Sequence, residues 1–324
     1  MRAYIHTEYG GPEVLRMQHI ETPDALNDYE VLIKAGALSI NPAELHKING
    51  SIWLVRMANG LFKPKNKILS SDFAGTIVKV GKLVSNFKIG DKVFGRTMQN
   101  GLAEFITANE NEVAPIKGHL SYSNASSLPL VATTALQALK AVQPNFEEFA
   151  NKKVLVNGAS GGIGTILTQL LSHYKAQITA VCSSQNFELM SNLGADSLVD
   201  YKVSDINKLN QHYDYVFDVV GNLKTVSMYK LLANNGQAVL IGYTRFSNTF
   251  NFILKGLYVN QITSKKFMLF NAETAKENLE EIMKLVDKGH IQPVIHKVFP
   301  FSHLIDAFKL LATKRVRGKI AIEL

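Results

Sequence analysis

A glycine-rich turn lies between two apolar runs in the middle of the chain, and its residue types suit the binding of a phosphate group. It reads Asn157-Gly158-Ala159-Ser160-Gly161-Gly162-Ile163-Gly164, which fits the pattern G-x-G-x-x-G with Ala159 at the first glycine. Gly161 lets the backbone approach a pyrophosphate, and Gly164 lets the following helix pack closely on the strand. The dipole and free N–H groups of that helix favour the anion. The predicted dinucleotide contacts are Ala159, Ser160, Gly161, Gly162 and Ile163.

The same turn also fits a catalytic motif. Gly158-x-Ser160-x-Gly162 matches the G-x-S-x-G nucleophile elbow of hydrolases, and Asp218 followed by His290 or His296 has the required chain order. No HGG-type oxyanion segment accompanies this motif. A serine hydrolase that uses Ser160 is therefore an alternative to the dinucleotide site.

The end of the next apolar run bears on which dinucleotide is bound. NAD sites usually carry Asp or Glu about 20 residues after the turn, where it binds the ribose hydroxyls. Here the run ends Cys182-Ser183-Ser184-Gln185-Asn186, without a carboxylate that would repel a 2′-phosphate. Ser183 and Ser184 offer hydroxyl donors, and the loop has no Arg or Lys. The sequence favours NADPH, with NADH as the other option.

Composition narrows the class of protein. The chain has 324 residues, 46% of them hydrophobic, which suits two packed domains rather than a disordered chain. The single cysteine excludes an intrachain disulfide and a four-cysteine zinc site. No apolar run reaches the roughly 18 residues of a membrane span, and the N-terminus shows no secretory signal. We therefore expect a cytoplasmic protein.

The elements that must position the turn alternate between strands and helices. From Lys152 onward the pattern predicts five strands separated by helices, then an edge strand within Tyr258–Met268. Such alternation implies parallel strands with right-handed crossovers, and hence a doubly wound sheet. A helix is predicted over Ser126–Val142. The first third instead shows short strands punctuated by glycine, typical of an antiparallel β domain, to which the tail Lys319–Leu324 is expected to return.

Motifs are spread over nearly the whole chain. They are Ser39–Glu44, Asp72–Gly81, Gly90–Gly95, Leu128–Leu139, Ala159–Gly164, Leu193–Asp196, Asp218–Gly221 and Gly318–Lys319. Together they resemble the medium-chain dehydrogenase/reductase superfamily, and within it the zinc-free quinone oxidoreductases. The branch nearest to this chain contains chloroplast-envelope quinone oxidoreductase homologues and enone reductases. The resemblance implies an α/β fold with a GroES-like β domain over residues 1–122 and 272–324, and a Rossmann doubly wound parallel sheet over 123–271.

The resemblance also implies the reaction. Zinc alcohol dehydrogenases of the superfamily carry metal ligands at the positions of Asn41, Ser71 and Leu130, and Leu130 cannot bind zinc. We therefore expect no metal site. The implied activity is NADPH-dependent hydride transfer to a quinone or to the C=C bond of an α,β-unsaturated carbonyl. A non-catalytic NADPH-binding protein of the same fold is the alternative.

The remaining site residues follow from the resemblance alone. Family positions near the nicotinamide and its ribose fall at Asn41 and Thr134, and a tyrosine that lines the adenine ribose phosphate falls at Tyr201. The catalytic candidates are Asn41, His46 and Tyr243, with His46, Tyr243 or water as the proton donor. Further cofactor candidates are Gly242, Tyr243 and Lys319.

Partners are predicted on similar grounds. The net charge of +8 contains no basic run longer than two residues, so no nucleic-acid partner is expected. Peripheral membrane association is a further expectation, because the chain is basic and related plant proteins associate with the envelope. Relatives commonly form homodimers through the edge strands of their Rossmann sheets, which makes Tyr258–Met268 the expected interface. The segment Ser51–Lys67 is expected to border the substrate cleft.

Overall fold

The computed structural model describes residues 1–51, 56–57, 59–242 and 246–324. Fifteen strands lie within these ranges. They are β1 (Arg2–Ile5), β2 (Arg16–His19), β3 (Glu30–Ile40), β4 (Ser71–Val80), β5 (Lys92–Thr97), β6 (Phe105–Asn109), β7 (Val113–Pro115), β8 (Lys153–Asn157), β9 (Gln177–Cys182), β10 (Ser197–Asp200), β11 (Tyr213–Asp218), β12 (Leu232–Leu240), β13 (Lys266–Leu269), β14 (Ile295–Pro300) and β15 (Lys319–Glu323).

The α-helices of the described ranges connect these strands. They are α1 (Pro42–Asn49), α2 (Tyr122–Ser126), α3 (Pro129–Val142), α4 (Gly162–His173), α5 (Phe187–Asn192), α6 (Thr225–Leu231), α7 (Phe246–Ile262), α8 (Lys276–Asp287) and α9 (Leu304–Ala312). The helix predicted over Ser126–Val142 is confirmed over Pro129–Val142. Ser126 instead ends the separate helix α2, because Pro129 starts a new helix where its missing N–H is tolerated. None of these helices is long and apolar enough to cross a bilayer.

One compact unit comprises residues 1–133, 274–288 and 293–324. Its main sheet runs in the order β14-β15-β3-β4-β5-β7, with β6 paired to β3. The C-terminal strand β15 pairs antiparallel with β3, so the tail of the chain lies in the sheet of this unit. The strand β3 leads directly into α1, whose start is fixed by Pro42 and by a 2.7 Å hydrogen bond from Asn41 N–H to Glu44 Oε2.

The other unit comprises residues 134–273 and 289–292. Its sheet runs in the order β10-β9-β8-β11-β12-β13, and every neighbouring pair is parallel. Counted along the unit, this is the order 3-2-1-4-5-6 of a Rossmann sheet. The predicted α/β fold class is therefore confirmed. The boundary between the units falls after Thr133, whereas the sequence analysis expected it after residue 122.

The edge of this sheet differs from the prediction. The strand expected within Tyr258–Met268 is wrong over most of its length, because α7 continues to Ile262 and only β13 is extended. The C-terminal part of α7 is apolar on two faces of the helix. Its nearly continuous row of apolar residues therefore resembles the sequence of a buried strand. β13 pairs with β12 alone, and is therefore the edge strand.

Candidate functional site

The glycine-rich turn leaves β8 and enters α4. Gly158 has a φ of 81°, in the left-handed region, and its carbonyl accepts the N–H of Gly161 at 3.1 Å. A Cβ on Gly164 would lie 2.4 Å from the Gly158 oxygen, so α4 packs on the turn only with glycine there. No side chain caps the start of α4, which leaves the N–H groups of its first turn for an anion.

The place of this turn in the sheet also suits a dinucleotide. It follows β8, which neighbours β11 at the point where the strand order reverses. Ligands of open parallel sheets bind outside the carboxyl ends of the strands at this switch point. The residues of the turn therefore fit a pyrophosphate.

Ala159 and Ser160 of the turn each make a hydrogen bond to a residue outside it. Ala159 is fully buried and donates its N–H to the Val181 carbonyl at 3.1 Å, so it supports the turn from within. Ser160 Oγ accepts a hydrogen bond from Asn186 Nδ2 at 3.0 Å.

The hydrolase alternative requires a serine, a histidine and Asp218 in contact. Ser160 has the asparagine partner described above, and Asp218 accepts a 2.7 Å hydrogen bond from Asn157 Nδ2. His290 stacks on His173, which is the last residue of α4 and lies at the opposite end from Ser160. The other candidate, His296, has a buried Nδ1 with no hydrogen-bond partner among the described residues. The described contacts therefore do not assemble this triad.

Asp218 instead organises the loop at the switch point. Its carboxyl group is fully buried and also accepts the N–H groups of Gly221 and Leu223 at 2.8 and 2.9 Å. Burial raises the pKa of Asp218, although these donors act in the opposite direction. Gly242 packs against the same loop, since a Cβ there would lie 2.2 Å from the Val219 oxygen.

The loop after β9 meets the end of β10. Ser184 N–H donates to Asp200 Oδ2 at 3.0 Å, and Lys202 N–H donates to Asp200 Oδ1 at 2.8 Å. The bonds from Lys202 and Ser184, in that order, lower the pKa of Asp200. Ser183 is buried, whereas the Tyr201 side chain is 57% exposed.

This arrangement corrects the sequence analysis, which found neither a carboxylate nor a lysine at the loop after β9. Asp200 and Lys202 come from the neighbouring strand β10 and the turn that follows it. Only the strand order β10-β9 brings them beside Ser184. A local motif search around the loop could not have found them.

The single cysteine lies at the end of β9. Cys182 is buried, and its burial, together with the nearby Asp200, raises the pKa of its thiol to about 11. The group is therefore a neutral thiol near neutral pH.

In the first unit, Asn41 belongs to a buried polar network. Its Nδ2 donates to Asp72 Oδ2 at 3.0 Å, and Lys319 Nζ donates to its Oδ1. Lys319 Nζ also lies 3.3 Å from Asp72 Oδ2. Asn41, Asp72 and Lys319 are 1%, 0% and 5% exposed. Burial lowers the pKa of Lys319, against the attraction of the nearby carboxyl groups. The amide of Asn41 is thus held at both ends.

Two further charged residues complete the network. Arg96 donates to Asp72 Oδ1 and to Glu44 Oε1, each at 2.8 Å. Burial acts to lower the pKa of Arg96, but the two carboxyl groups outweigh it and raise the pKa. Glu44 Oε1 also accepts from Ser70 Oγ at 2.8 Å. The sequence analysis missed Glu44, Asp72 and Arg96 as site residues, because they lie on separate elements and share no local pattern.

Asn41, Ser71 and Leu130 occupy the positions at which zinc alcohol dehydrogenases of the superfamily carry their metal ligands. Asn41 offers an amide oxygen already bonded to an ammonium group, and Ser71 Oγ donates to the Gly101 carbonyl at 2.8 Å. Leu130 has no ligand atom. Catalytic zinc takes three protein ligands of N, S or O type, which this set does not match. Within the ranges that the structure describes, no group of three His, Cys, Asp or Glu residues is arranged to hold a metal.

His46 lies apart from this network. It follows Glu44 by two positions on α1, so the two side chains project from roughly opposite faces of the helix. Its Nδ1 is 3.3 Å from Ser51 Oγ. Burial, and then Lys314, lower the pKa of His46.

The remaining candidates lie in or after α3 and β12. Thr134 is buried, and the neighbouring Thr133 has a buried hydroxyl for which the described ranges offer no hydrogen-bond partner. A buried hydroxyl without a partner costs free energy, so Thr133 marks a place that suits a polar ligand. The sequence analysis named only Thr134 of this pair. Tyr243 lies outside the described residues, as does part of Ser51–Lys67.

Comparison with known proteins agrees with this geometry. Family models described as alcohol dehydrogenase GroES-like domain and as zinc-binding dehydrogenase match residues 27–127 and 193–322. The NAD(P)H oxidoreductase RTN4IP1, mitochondrial, of Bos taurus is 33% identical over 99% of this chain and 89% of its own length. The chain belongs to the medium-chain dehydrogenase/reductase superfamily.

Other members of this superfamily are also similar. The NADPH-dependent alkenal/one oxidoreductase, chloroplastic, of Arabidopsis thaliana is 29% identical over 99% of the chain and 79% of its own length. The quinone oxidoreductase of Coxiella burnetii superposes with a TM-score of 0.87 at 26% identity, covering 100% of this chain and 99% of its own. The predicted family and the predicted enzyme class, an oxidoreductase that uses NAD(P)H, are confirmed.

Proposed function

We propose that the protein is an NADPH-dependent, zinc-independent oxidoreductase that transfers hydride to a quinone or to the C=C bond of an α,β-unsaturated carbonyl. The names of the Arabidopsis and Coxiella relatives support these two acceptor classes. When bound, NADPH would supply the hydride, and the protein would supply position and electrostatics.

The observation that carries the proposal is the environment of Asn41. Lys319 Nζ donates to the amide oxygen of Asn41, so a cation already occupies the neighbourhood in which relatives bind zinc. A divalent ion there would meet the repulsion of a buried ammonium group. Without a Lewis acid to polarise an alcohol, the suitable substrates are acceptors that are already electrophilic.

The residues of this chain would divide the remaining work. The first turn of α4 would hold the pyrophosphate. Ser184, Tyr201 and Lys202 would hold the 2′-phosphate, because the Asp200 carboxylate beside them already accepts the N–H groups of Ser184 and Lys202. Asn41 gives one Nδ2–H to Asp72, and we assign the second to the acceptor oxygen that gains negative charge. Because the pKa of His46 is lowered, little of its ring carries the extra proton at neutral pH, so solvent is assigned as the proton donor.

A substrate panel tests the proposal. The purified chain is assayed with 2-alkenals, enones and quinones, using NADPH and NADH, before and after dialysis against a chelator. We expect turnover of at least one acceptor class with NADPH, unchanged by the chelator and not increased by added zinc. NADPH binding without turnover of any acceptor would favour the non-catalytic alternative, and activity that requires zinc would refute the metal-free assignment.

A further inference from the structure

A single guanidinium group joins the two carboxyl groups that hold Asn41. Arg96 Nη1 donates to Asp72 Oδ1, and Arg96 Nη2 donates to Glu44 Oε1, each at 2.8 Å. The side chain of Arg96 is 6% exposed, and those of Glu44 and Asp72 are inaccessible to solvent. Both terminal nitrogens of the guanidinium group therefore bind this pair of carboxylates.

Strand pairing sets the position of Arg96. Asp72 on β4 lies directly opposite Arg96 on β5, and it also lies opposite Ser39 on β3, just before Asn41. Residues that face each other across antiparallel strands have Cβ atoms about 4.5–5.5 Å apart, so the backbone alone holds Arg96 and Asp72 side by side. The strand β5 thus contributes to the surroundings of Asn41, although β4 lies between it and β3 in the sheet.

The two carboxyl groups hold different parts of Asn41. Glu44 Oε2 accepts the backbone N–H of Asn41 at 2.7 Å, whereas Asp72 Oδ2 accepts one hydrogen of its side-chain Nδ2 at 3.0 Å. Lys319 Nζ donates to the amide oxygen of the same side chain. Because a carboxamide is planar and carries two N–H donors, these contacts also fix the direction of the second Nδ2–H. Arg96 is the group that ties the backbone contact to the side-chain contact.

We propose that Arg96 is a positioning residue for the reduction, which clamps Glu44 and Asp72 so that the second Nδ2–H of Asn41 points at the oxygen of the acceptor. This inference rests on the proposed function, which assigns that hydrogen to the oxygen that gains negative charge. A donor that is fixed in advance stabilises such a charge without reorganising during the reaction. Arg96 acts through Asn41 and is assigned no contact with the acceptor.

A purely structural role for Arg96 predicts a different behaviour. Arg96 would then only compensate the charges of two buried carboxylates, and its loss would lower stability while the folded molecules kept their turnover. A lysine could supply the same compensation, because it carries the same charge. Its single ammonium group lacks the rigid fork of donors that bridges two carboxylates, so a lysine at this position separates charge from geometry.

Steady-state kinetics of Arg96→Lys test the proposal, with NADPH and an acceptor that the unmodified chain reduces. We expect kcat to fall roughly 10- to 100-fold while KM for the acceptor changes less than about threefold, because misplacing a group by about 1 Å costs up to about 100-fold in rate. NADPH affinity is expected to stay unchanged. Arg2→Lys is the matched control, because Arg2 pairs with Glu104 at 2.7 Å on β1 of the same unit, and its kcat should equal that of the unmodified chain.

Chemical rescue gives a second readout. We expect about 20 mM guanidinium chloride, far below the molar concentrations that unfold proteins, to raise the kcat of Arg96→Ala by roughly tenfold. Ammonium chloride at the same concentration matches the charge and ionic strength and is expected to restore much less. A kcat of Arg96→Lys equal to that of the unmodified chain overturns the proposal, and so does equal rescue of Arg96→Ala by the two salts. If Arg96→Ala does not fold, Arg96→Lys still decides, because it keeps the compensating charge.

The side-chain amide of Asn41 gives a readout that does not depend on activity. If the unmodified chain reduces no acceptor, the proposed function fails, and NMR spectra of protein labelled with ¹⁵N-asparagine then decide the positioning role. The Nδ2 signals of Asn41 are identified by their loss in Asn41→Asp. We expect their hydrogens to exchange with solvent roughly tenfold faster in Arg96→Lys than in the unmodified chain or in Arg2→Lys. Equal exchange in all three proteins overturns the proposal.

Discussion

At the scale of single residues, the candidate site depends on an amide held between opposite charges. Asn41 gives a hydrogen to Asp72 and takes one from Lys319. Both charged partners are nearly inaccessible to water, so each depends on the other for compensation. The network therefore fixes the rotamer of Asn41 more firmly than a solvent-exposed amide could be fixed. These three residues lie at the start of α1, on β4 and on β15, and the resemblance pointed to two of them, Asn41 and Lys319.

Replacing Lys319 by methionine tests this dependence. Lys319→Met leaves the carboxyl group of Asp72 buried with one cation fewer, and we expect it to lower the free energy of unfolding by about 3–5 kcal/mol. Lys309→Met is the control, because Lys309 is 59% exposed and pairs with Asp306 at 3.5 Å. Its expected effect is below about 1 kcal/mol. Urea unfolding measures both, and similar losses in the two variants would contradict the role given to the network.

At the scale of elements, strand order and one tight turn form the proposed cofactor site. The turn brings the start of α4 to the switch point between β8 and β11, and the pairing of β10 with β9 adds Asp200 and Lys202 to the neighbouring loop. The first of these features is local and the second is not. This difference explains why sequence analysis found one and missed the other.

Two alanine substitutions separate packing from binding in the turn. In Gly161→Ala the new Cβ would lie 3.4 Å from the Gly158 oxygen, which is an ordinary contact, so the variant is expected to fold normally. Its methyl group would still obstruct the pyrophosphate, and we expect at least a tenfold loss of NADPH affinity. In Gly164→Ala the Cβ would lie 2.6 Å from Ala159 Cα, so unfolding should become easier by about 1–3 kcal/mol.

Fluorescence titration with NADPH and urea unfolding measure the two effects. Undiminished NADPH affinity in Gly161→Ala would show that the phosphate is bound elsewhere. An unchanged stability in Gly164→Ala would contradict the packing described for α4.

A substitution of Lys202 tests whether the turn after β10 determines the preference for NADPH over NADH. Lys202→Gln is expected to weaken NADPH binding roughly 10-fold, since charge-assisted hydrogen bonds contribute about 1.5–3 kcal/mol, and to leave NADH binding unchanged. Lys208→Gln, an exposed lysine further along the same connection, is the control. Equal losses for both nucleotides would remove Lys202 from the 2′-phosphate site.

Some elements of the fold could be predicted from the sequence and others could not. The alternating pattern and the glycine spacing were sufficient for the Rossmann sheet and its turn, because both are written in consecutive residues. The helix α7 was mistaken for part of a strand, since apolar residues on two helical faces give a nearly continuous apolar run. The network around Asn41 stayed hidden because its charges come from distant segments that only the sheet of the first unit brings together.

At the scale of the whole molecule, one buried and two half-buried histidines make stability depend on pH. Burial lowers the pKa of His6, His46 and His296 in the folded chain. The unfolded chain takes up protons near pH 6.5, before the folded one does, so acidification favours unfolding. Stability from these groups is present above pH 6.5 and is lost as the pH falls through the folded pKa values. His6 is the clearest case, because its ring is fully buried and its Nε2 has no hydrogen-bond partner among the described residues.

The slope of stability against pH tests this account. Between about pH 7 and pH 5 we expect the free energy of unfolding to fall, by up to about 1.4 kcal/mol per pH unit for each group. His6→Asn keeps a donor for the Lys67 carbonyl, to which His6 Nδ1 lies at 3.0 Å, but cannot titrate. Its slope should be shallower than that of the unmodified chain, whereas His19→Asn, on the exposed strand β2, should leave the slope unchanged. Identical slopes in all three proteins would refute the assignment to His6.

The buried thiol at the end of β9 affects how the protein reacts with electrophilic compounds. α,β-Unsaturated carbonyls alkylate thiolates, and many enzymes lose activity when an accessible sulfur is captured in this way. Here the only sulfur nucleophile of that kind is sheltered from solvent and stays protonated until well into the alkaline range. Such a chain would tolerate prolonged exposure to the electrophiles it is proposed to reduce, a form of self-protection that depends on one residue being out of reach.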